Sequence, residues 1–282
     1  QTGIDNAVEH LRDFGFDDTA LPRNAALALG AGGVAPIDLA GGYATFANGG
    51  YSVEPYLVQR IEDAEGDILY EANTRYVCDL CEEPGVEDEA ETDSLALFAT
   101  SPIELYPKTA HAKRVISPQN AFLINDMMRD VVRRGTGIRA YRELGRQDLA
   151  GKTGTTNDRR DAWFAGFNGE VVAAAWVGFD QERSLGRYEQ GAATALPIWI
   201  DFMDEALDEV PNSAMAQPPG IVDVRINPDS GLAAAVNDGS IFEKFRLDRV
   251  PDQEEAPADW TSDIFLGTGE SSGSELIQEP LF

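Results

Sequence analysis

Residues 148–179 read DLAGKTGTTNDRRDAWFAGFNGEVVAAAWVGF, and their punctuation decides the fold. Three strand-like runs, 148–156, 162–167 and 171–179, are separated by the turn residues Asn157-Asp158 and Asn168-Gly169. An Asn-Gly pair between two apolar runs is a strong hairpin signal, so the stretch predicts consecutive antiparallel strands. Gly151-Lys152-Thr153-Gly154-Thr155-Thr156 falls in the first of them. A phosphate-binding loop would need a glycine at position 146, where Arg146 stands, and a helix directly behind the motif. Turn residues and an aromatic strand follow instead. The same string on an edge strand beside a nucleophilic serine suits acyl transfer. The strand backbone pairs with an extended peptide. The Lys152 ammonium favours developing negative charge, threonine hydroxyls bind a terminal carboxylate, and a backbone N–H completes an oxyanion hole. Gly154 removes a side chain where strand and helix backbones must approach.

Upstream of this stretch, residues 117–134 give the clearest helix. Ser117 caps it, Pro118 is its first helical residue, and Phe122, Ile124, Met127, Met128, Val131 and Val132 are expected on its buried side. Gly135-Thr136-Gly137 ends it, and reads equally well as a helix stop or as a loop rimming a cleft. Residues 4–14 predict a helix stopped by Gly15, and residues 36–48 a second one, entered at Pro36 and left at Asn48-Gly49-Gly50. The Gly41-Gly42 pair inside it costs helix stability and points to close packing. Short strands are expected at 55–61 and 67–71, and an amphipathic helix at 197–210. Beyond Pro211 the chain is rich in Pro, Gly and Ser, with weak strands at 221–226 and 241–245. Tyr43, Phe46 and Tyr51 are expected in a core.

Composition bounds the function. The 282 residues are 43% apolar, ordinary for a folded protein. The formal net charge of −27 makes nucleic acid an unfavourable partner, because phosphate repels it. No run approaches the roughly 18 apolar residues of a membrane span. No initiator Met and no basic-then-apolar leader stand at Gln1, so we expect that Gln1 is not the true start. The charge is uneven. Asp79 to Asp93 holds eight acids and no base, and so does Val250 to Phe282. Lys113 to Arg187 reverses the balance, with 13 bases against 9 acids. The acidic runs read as solvated surface. Residues 72–112 read as an insertion or long loop, 1–210 as the main domain, and 211–282 as an extension with an acidic tail from about 250.

Beyond the K-T-G string, residues 26–51, 135–167, 172–187 and 218–226 resemble the C-terminal part of class A penicillin-binding proteins, specifically the bifunctional 1A type. The Cys78-Asp79-Leu80-Cys81 pair and the end at Leu281-Phe282 are similar too. The resemblance implies a β-lactamase/DD-transpeptidase-like α+β fold, an antiparallel sheet flanked by helices, incomplete at its N-terminal side. It implies peptidoglycan cross-linking. A serine attacks the D-Ala–D-Ala bond of a stem peptide, the acyl group passes to a neighbouring amine, and β-lactams acylate the same serine. It further implies a membrane-anchored, periplasmic protein with a glycosyltransferase domain upstream, an outer-membrane lipoprotein activator or other cell-wall synthesis partners, and no cofactor or metal. Lys152 matches the third-motif lysine, and Thr153, Gly154 and Thr155 the substrate-binding positions.

Two family motifs have no match. No serine in the chain has lysine at i+3, and neither S-x-N nor Y-x-N occurs. We therefore expect a fragment whose nucleophile lies upstream, with exposed apolar surface where the missing part would pack. A non-catalytic peptidoglycan- or partner-binding module of the same fold is the alternative. Thr156 is expected to support the strand end, and Asp161, in the Asp161-Ala162-Trp163-Phe164 run, to orient the strand or pair with an arginine. Cys78 and Cys81 could form a disulfide, a redox pair or half a metal site. The implied oxidising compartment favours the disulfide. His10 and His111 lack ligand spacing to them and read as surface residues.

Overall fold

Six residues of β4 (Ala162–Phe167) organise the main body. Ala162, Phe164, Ala165 and Phe167 are all buried, because a neighbouring strand lies on each side and helices cover both faces. In the computed structural model, which describes residues 3–72, 74–78, 111–234 and 239–253, β4 pairs antiparallel with β3 (Ala150–Thr155) and β5 (Val172–Val177). The three-strand reading of the sequence is met, and so is the hairpin. Its turn differs from a two-residue Asn-Gly turn, since Phe167 pairs with Val172 and four residues connect them. The Asn168 side chain closes this loop by accepting from the N–H groups of Glu170 and Val171 at 3.0 and 2.8 Å.

Helices flank the sheet as the α+β reading expects: α1 (Ile4–Asp13), α2 (Pro36–Ala47), α3 (Pro118–Arg134), α4 (Ile138–Leu144) and α5 (Leu196–Ala206). Ser117 caps α3, its hydroxyl accepting from the Asn120 N–H at 3.2 Å. The buried side of α3 is carried by Ala121, Phe122, Asn125 and Val132, while Met127, expected inside, is 57% exposed. The cause is that Met127 lies beside an open groove and not against the sheet. The short helix α4 was not expected. The last helix was expected over 197–210, but α5 stops at Ala206 and is preceded by a π-helical turn, Gly191–Ala195.

Trp199 is the centre of the packing. Its ring meets Phe164 edge-on at 4.9 Å, and its indole N–H donates to the Ala173 carbonyl at 3.1 Å. Leu196, Ile200 and Met203, at helical spacing around it, join Val132 and Ala140 in one cluster against the sheet. On the opposite face Tyr43 of α2 meets Phe167 at 6.3 Å. Tyr51 is buried as expected, whereas Tyr43 and Phe46 are half-buried beside open space. Gly42 lets α2 close on Phe16, whose ring atoms would lie 2.7 Å from a Cβ there.

The first two strands are shorter than expected: β1 (Arg60–Glu62) and β2 (Ile68–Glu71) make three residue pairs. Residues 55–59 stay irregular, starting at Pro55, which has no N–H to pair, and Leu57 is 95% exposed. The chain forms two compact units, Gln1–Ile221 and Val222–Phe282. From the boundary residue Ile221 onward, β6 (Ile221–Ile226) and β7 (Ile241–Arg246) form a two-stranded sheet. There Lys244 pairs with Asp223 at 2.7 Å, and the Arg225 guanidinium lies 4.6 Å over the Phe242 ring. Asp79 to Asp93, most of the 72–112 stretch and the tail beyond Gln253 lie outside the described residues.

Candidate functional site

The Lys152 strand is an edge. The sheet order β3-β4-β5 leaves the outer side of β3 unpaired among the described residues. Register decides what each face of that edge carries, because directly paired residues in an antiparallel ladder share a face. Lys152 and Gly154 pair with Ala165 and Trp163, whereas Thr153 and Thr155 pair with Phe164 and Ala162. The strand thus offers an ammonium to one side and two hydroxyls to the other, with its unpaired backbone between them.

An open cleft of about 840 Å³ runs along this edge. Lys152 to Thr156 line one wall, with Trp163 and Trp176. The 27–34 segment and α2, through Leu39 and Tyr43, line the other. Burial pushes the Tyr43 phenol above its ordinary pKa, so it stands as a neutral hydroxyl in that wall. Three lining residues carry charge. Glu182 is paired with Arg160 at 2.7 Å. Asp161 accepts from the Trp176 indole at 3.0 Å and from the Thr156 hydroxyl at 3.3 Å. Lys152, exposed, donates to the Thr153 carbonyl at 3.0 Å and has no carboxylate within ion-pair distance among the described residues.

The supporting residues behave largely as their positions suggested. Thr156 closes the strand end, its hydroxyl accepting from the Asp161 N–H at 2.8 Å. Asp161 ties β4 to β5 through Trp176 and pairs with no arginine among the described residues. At Gly154 the expected close approach of backbones is present, but the missing side chain that permits it is that of Gly191 in the π-helical turn, whereas a Cβ on Gly154 would lie 3.1 Å from the Trp163 Cβ. A Cβ on Gly191 would lie 2.6 Å from the Gly154 carbonyl oxygen and 2.4 Å from that of Trp163. The Gly191 N–H donates to the Thr155 hydroxyl oxygen at 3.0 Å.

Two contributors were not read from the sequence as site residues, Gly191 and the Leu27–Val34 wall. The Gly-rich run Gly30 to Gly33 was the available signal for the wall. Gly135-Thr136-Gly137 was open between two roles, and it fills both. It stops α3, and it brings the Thr136 hydroxyl to 2.9 Å from that of Thr153. Of the cysteine pair, Cys81 lies outside the described residues. His10 is exposed and stacks edge-on against Phe14 at 5.2 Å.

A second groove of about 500 Å³ adjoins the cleft, sharing Leu11, Phe16, Leu39 and Tyr43 with it. Its further lining is almost wholly apolar, with Phe14, Phe46, Ile124 and Met127 among it. This matches the expectation of exposed apolar surface beside the site. No helix among the described residues is long and apolar enough to cross a membrane.

The chain is similar in sequence and fold to known proteins. The family model for the penicillin binding protein transpeptidase domain matches residues 3–196. The chain is 43% identical over 268 residues to penicillin-binding protein 1A of Pseudomonas aeruginosa, covering 88% of this chain and 32% of that protein. It is 38% identical to penicillin-binding protein 1A of Vibrio cholerae, over 98% of this chain and 34% of that protein. The chain therefore spans about a third of the curated relatives it matches. The crystal structure of penicillin-binding protein 1A from Haemophilus influenzae superposes with a TM-score of 0.74 at 37% identity, over 90% of this chain and 38% of that one. PonA1 from Mycobacterium tuberculosis gives 0.50 at 25% identity, over 72% and 46%. With the family model spanning well over half the chain, and with the antiparallel edge strand and its flanking helices in place, this chain belongs to the penicillin-binding protein transpeptidase family, among relatives of the 1A type.

Proposed function

We propose that this chain is the Lys-Thr-Gly half of a serine DD-transpeptidase that cross-links peptidoglycan stem peptides. The observation that carries the reading is the unpaired β3 edge, with Lys152, Thr153, Gly154 and Thr155 along one wall of the cleft. An extended peptide adds to such an edge through main-chain hydrogen bonds. The Lys152 ammonium stabilises negative charge as it develops, and Thr153 and Thr155 receive the terminal carboxylate. The serine hydroxyl attacks the penultimate D-Ala carbonyl carbon. Its proton leaves to a base, the C–N bond breaks, and terminal D-Ala departs as the protonated amine. An acceptor amine then displaces the serine from the acyl-enzyme. Penicillins, as mimics of the dipeptide, acylate the same serine.

The nucleophile in this reading comes from a segment outside these 282 residues, since the sequence has no S-x-x-K. The apolar groove supports this, being open where a further helix could pack. The same reading takes residues 1–210 as the transpeptidase portion and 211–282 as an extension. It includes a Cys78–Cys81 disulfide, the periplasmic face of an inner membrane, an upstream glycosyltransferase and a lipoprotein activator. A labelled-penicillin gel tests it. The longer protein carrying this sequence should form a covalent adduct, and residues 1–282 alone should not. An adduct on the short chain would place the nucleophile within it. The lack of S-x-x-K also favours a second reading, a non-catalytic peptidoglycan- or partner-binding module. It would be supported if the gene-encoded protein forms no adduct and has no serine motif.

A further inference from the structure

Thr153 and Thr155 lie two residues apart on one face of β3, about 7 Å along the strand. A carboxylate accepting at about 2.7 Å from each hydroxyl can bridge them. For that, each hydroxyl must keep its single hydrogen free and aimed outward. The Gly191 N–H settles this for Thr155. It donates to Oγ1 at 3.0 Å, so the Thr155 hydrogen is left for a ligand. At Thr153 the partner is the Thr136 hydroxyl, 2.9 Å away, and either oxygen can be the donor.

Thr136 is held in place by its flanking glycines. Both the Gly135 and Gly137 N–H groups donate to the Val131 carbonyl, at 3.1 and 2.9 Å. A Cβ at 135 would lie 2.9 Å from the Val131 Cα, and one at 137 would lie 3.2 Å from its carbonyl oxygen. Helix α4 starts directly behind, at Ile138. Thr136 thus projects from a turn in which a side chain at 135 would force a shift and one at 137 would be tight.

We infer that Thr136 is a positioning residue that donates its hydroxyl hydrogen to Thr153 Oγ1, turning the Thr153 O–H toward the carboxylate of the acyl donor. It does for Thr153 what the Gly191 N–H does for Thr155. The inference rests on the transpeptidase reading. A negative ligand selects the polarity. With Thr136 donating, the pair becomes a two-hydroxyl chain ending in a charge-assisted bond to the ligand, and each link polarises the next.

The test is the acylation rate of the longer protein with a penicillin and with its carboxyl methyl ester. Thr136→Val should slow acylation by the free acid about tenfold, the scale of one hydrogen bond to a charged group. It should leave the ester rate within about twofold, and Thr136→Ser should restore the acid rate. In a Thr153→Val background, Thr136→Val should add nothing. Equal losses on acid and ester, or an undiminished loss without Thr153, would reduce Thr136 to a structural role and overturn the inference. So would an acid rate unchanged by Thr136→Val in a protein that is otherwise acylated. A wild type that forms no adduct overturns the transpeptidase reading itself. Thr136→Ala, read the same way, serves if the valine variant does not fold.

Discussion

Lys152 stands out in the cleft wall because no carboxylate among the described residues lies within ion-pair distance of it. The neighbouring carboxylates are engaged elsewhere, Glu182 by Arg160 and Asp161 by Trp176 and Thr156. An ammonium held by a backbone carbonyl, with no carboxylate beside it among the described residues, is available to an anionic ligand or transition state. On the proposed transpeptidase reading, Lys152→Ala in the longer protein should cut penicillin acylation about 100-fold, as losing one preorganised charge stabiliser does. Its melting temperature should stay within about 2 °C, because the side chain is exposed and buries no partner. An unchanged acylation rate would remove Lys152 from the site. Lys152, Thr153, Gly154 and Thr155 were legible because one strand holds them consecutively. Thr136 and Gly191 were not, since they reach the motif from 17 and 36 residues away and only the packing brings them there.

The elements are fastened at two glycine- and carboxylate-dependent joints. The first is where the π-helical turn meets β3 and β4. Gly191→Ala would drive a Cβ to 2.4 Å from the Trp163 carbonyl oxygen. It should cost about 1–3 kcal/mol in chemical denaturation, the range for forced overpacking. The second joint is Asp148, buried ahead of β3. It accepts from the Nε and Nη2 groups on one edge of the Arg146 guanidinium at 3.0 and 2.7 Å, and from the Ser213 N–H at 3.1 Å. Arg146 continues to the Val210 carbonyl at 2.7 Å, so the chain after α5 is pinned to the entry of the motif strand. Burial alone would raise the Asp148 carboxyl. The hydrogen bonds from Arg146, Ser213 and Asn168 outweigh it and hold the pKa below the ordinary carboxylate value. A depressed folded-state pKa stabilises above the unfolded value and loses that contribution as pH falls through the folded one. The denaturation midpoint should therefore drop as pH falls from about 5, and Asp148→Asn should flatten that acid limb. The variant should cost about 3 kcal/mol at neutral pH, the scale of breaking a buried pair. An acid limb identical to that of the unmodified chain would exclude Asp148 as its source.

Over the whole molecule, the apolar groove beside the cleft bears on stability. Met127 is exposed there and Phe46 and Ile124 are half-buried beside open space. Apolar surface left in water forgoes roughly 25 cal/mol per Å² of burial. Residues 1–282 expressed alone should melt lower and less cooperatively than the longer protein, and should bind a hydrophobic dye. A sharp, high transition with no dye binding would show that the groove is not an open interface. The charge map also sharpens at this scale. Several bases of Lys113 to Arg187 sit in ion pairs, such as Arg146 with Asp148 and Arg139 with Glu143, and among the described residues that line the cleft the positive charge comes from Lys152.

The sequence by itself determined the three consecutive antiparallel strands, the capped helix behind Ser117, and the place of Lys-Thr-Gly on the first of those strands. These follow from alternation, caps and turn residues, which are local and written in consecutive positions. Helix α4, the π-helical turn and the early end of α5 escaped it, as did the exposure of Met127. Each depends on which surfaces find a neighbour. Only the tertiary structure decided that the edge strand lines a cleft, that the Gly191 N–H and the Thr136 hydroxyl come within hydrogen-bond distance of its two hydroxyls, and that an apolar groove opens beside it. The physical reason is that hydrogen bonds and close backbone approaches between distant residues have no periodic signature along the chain.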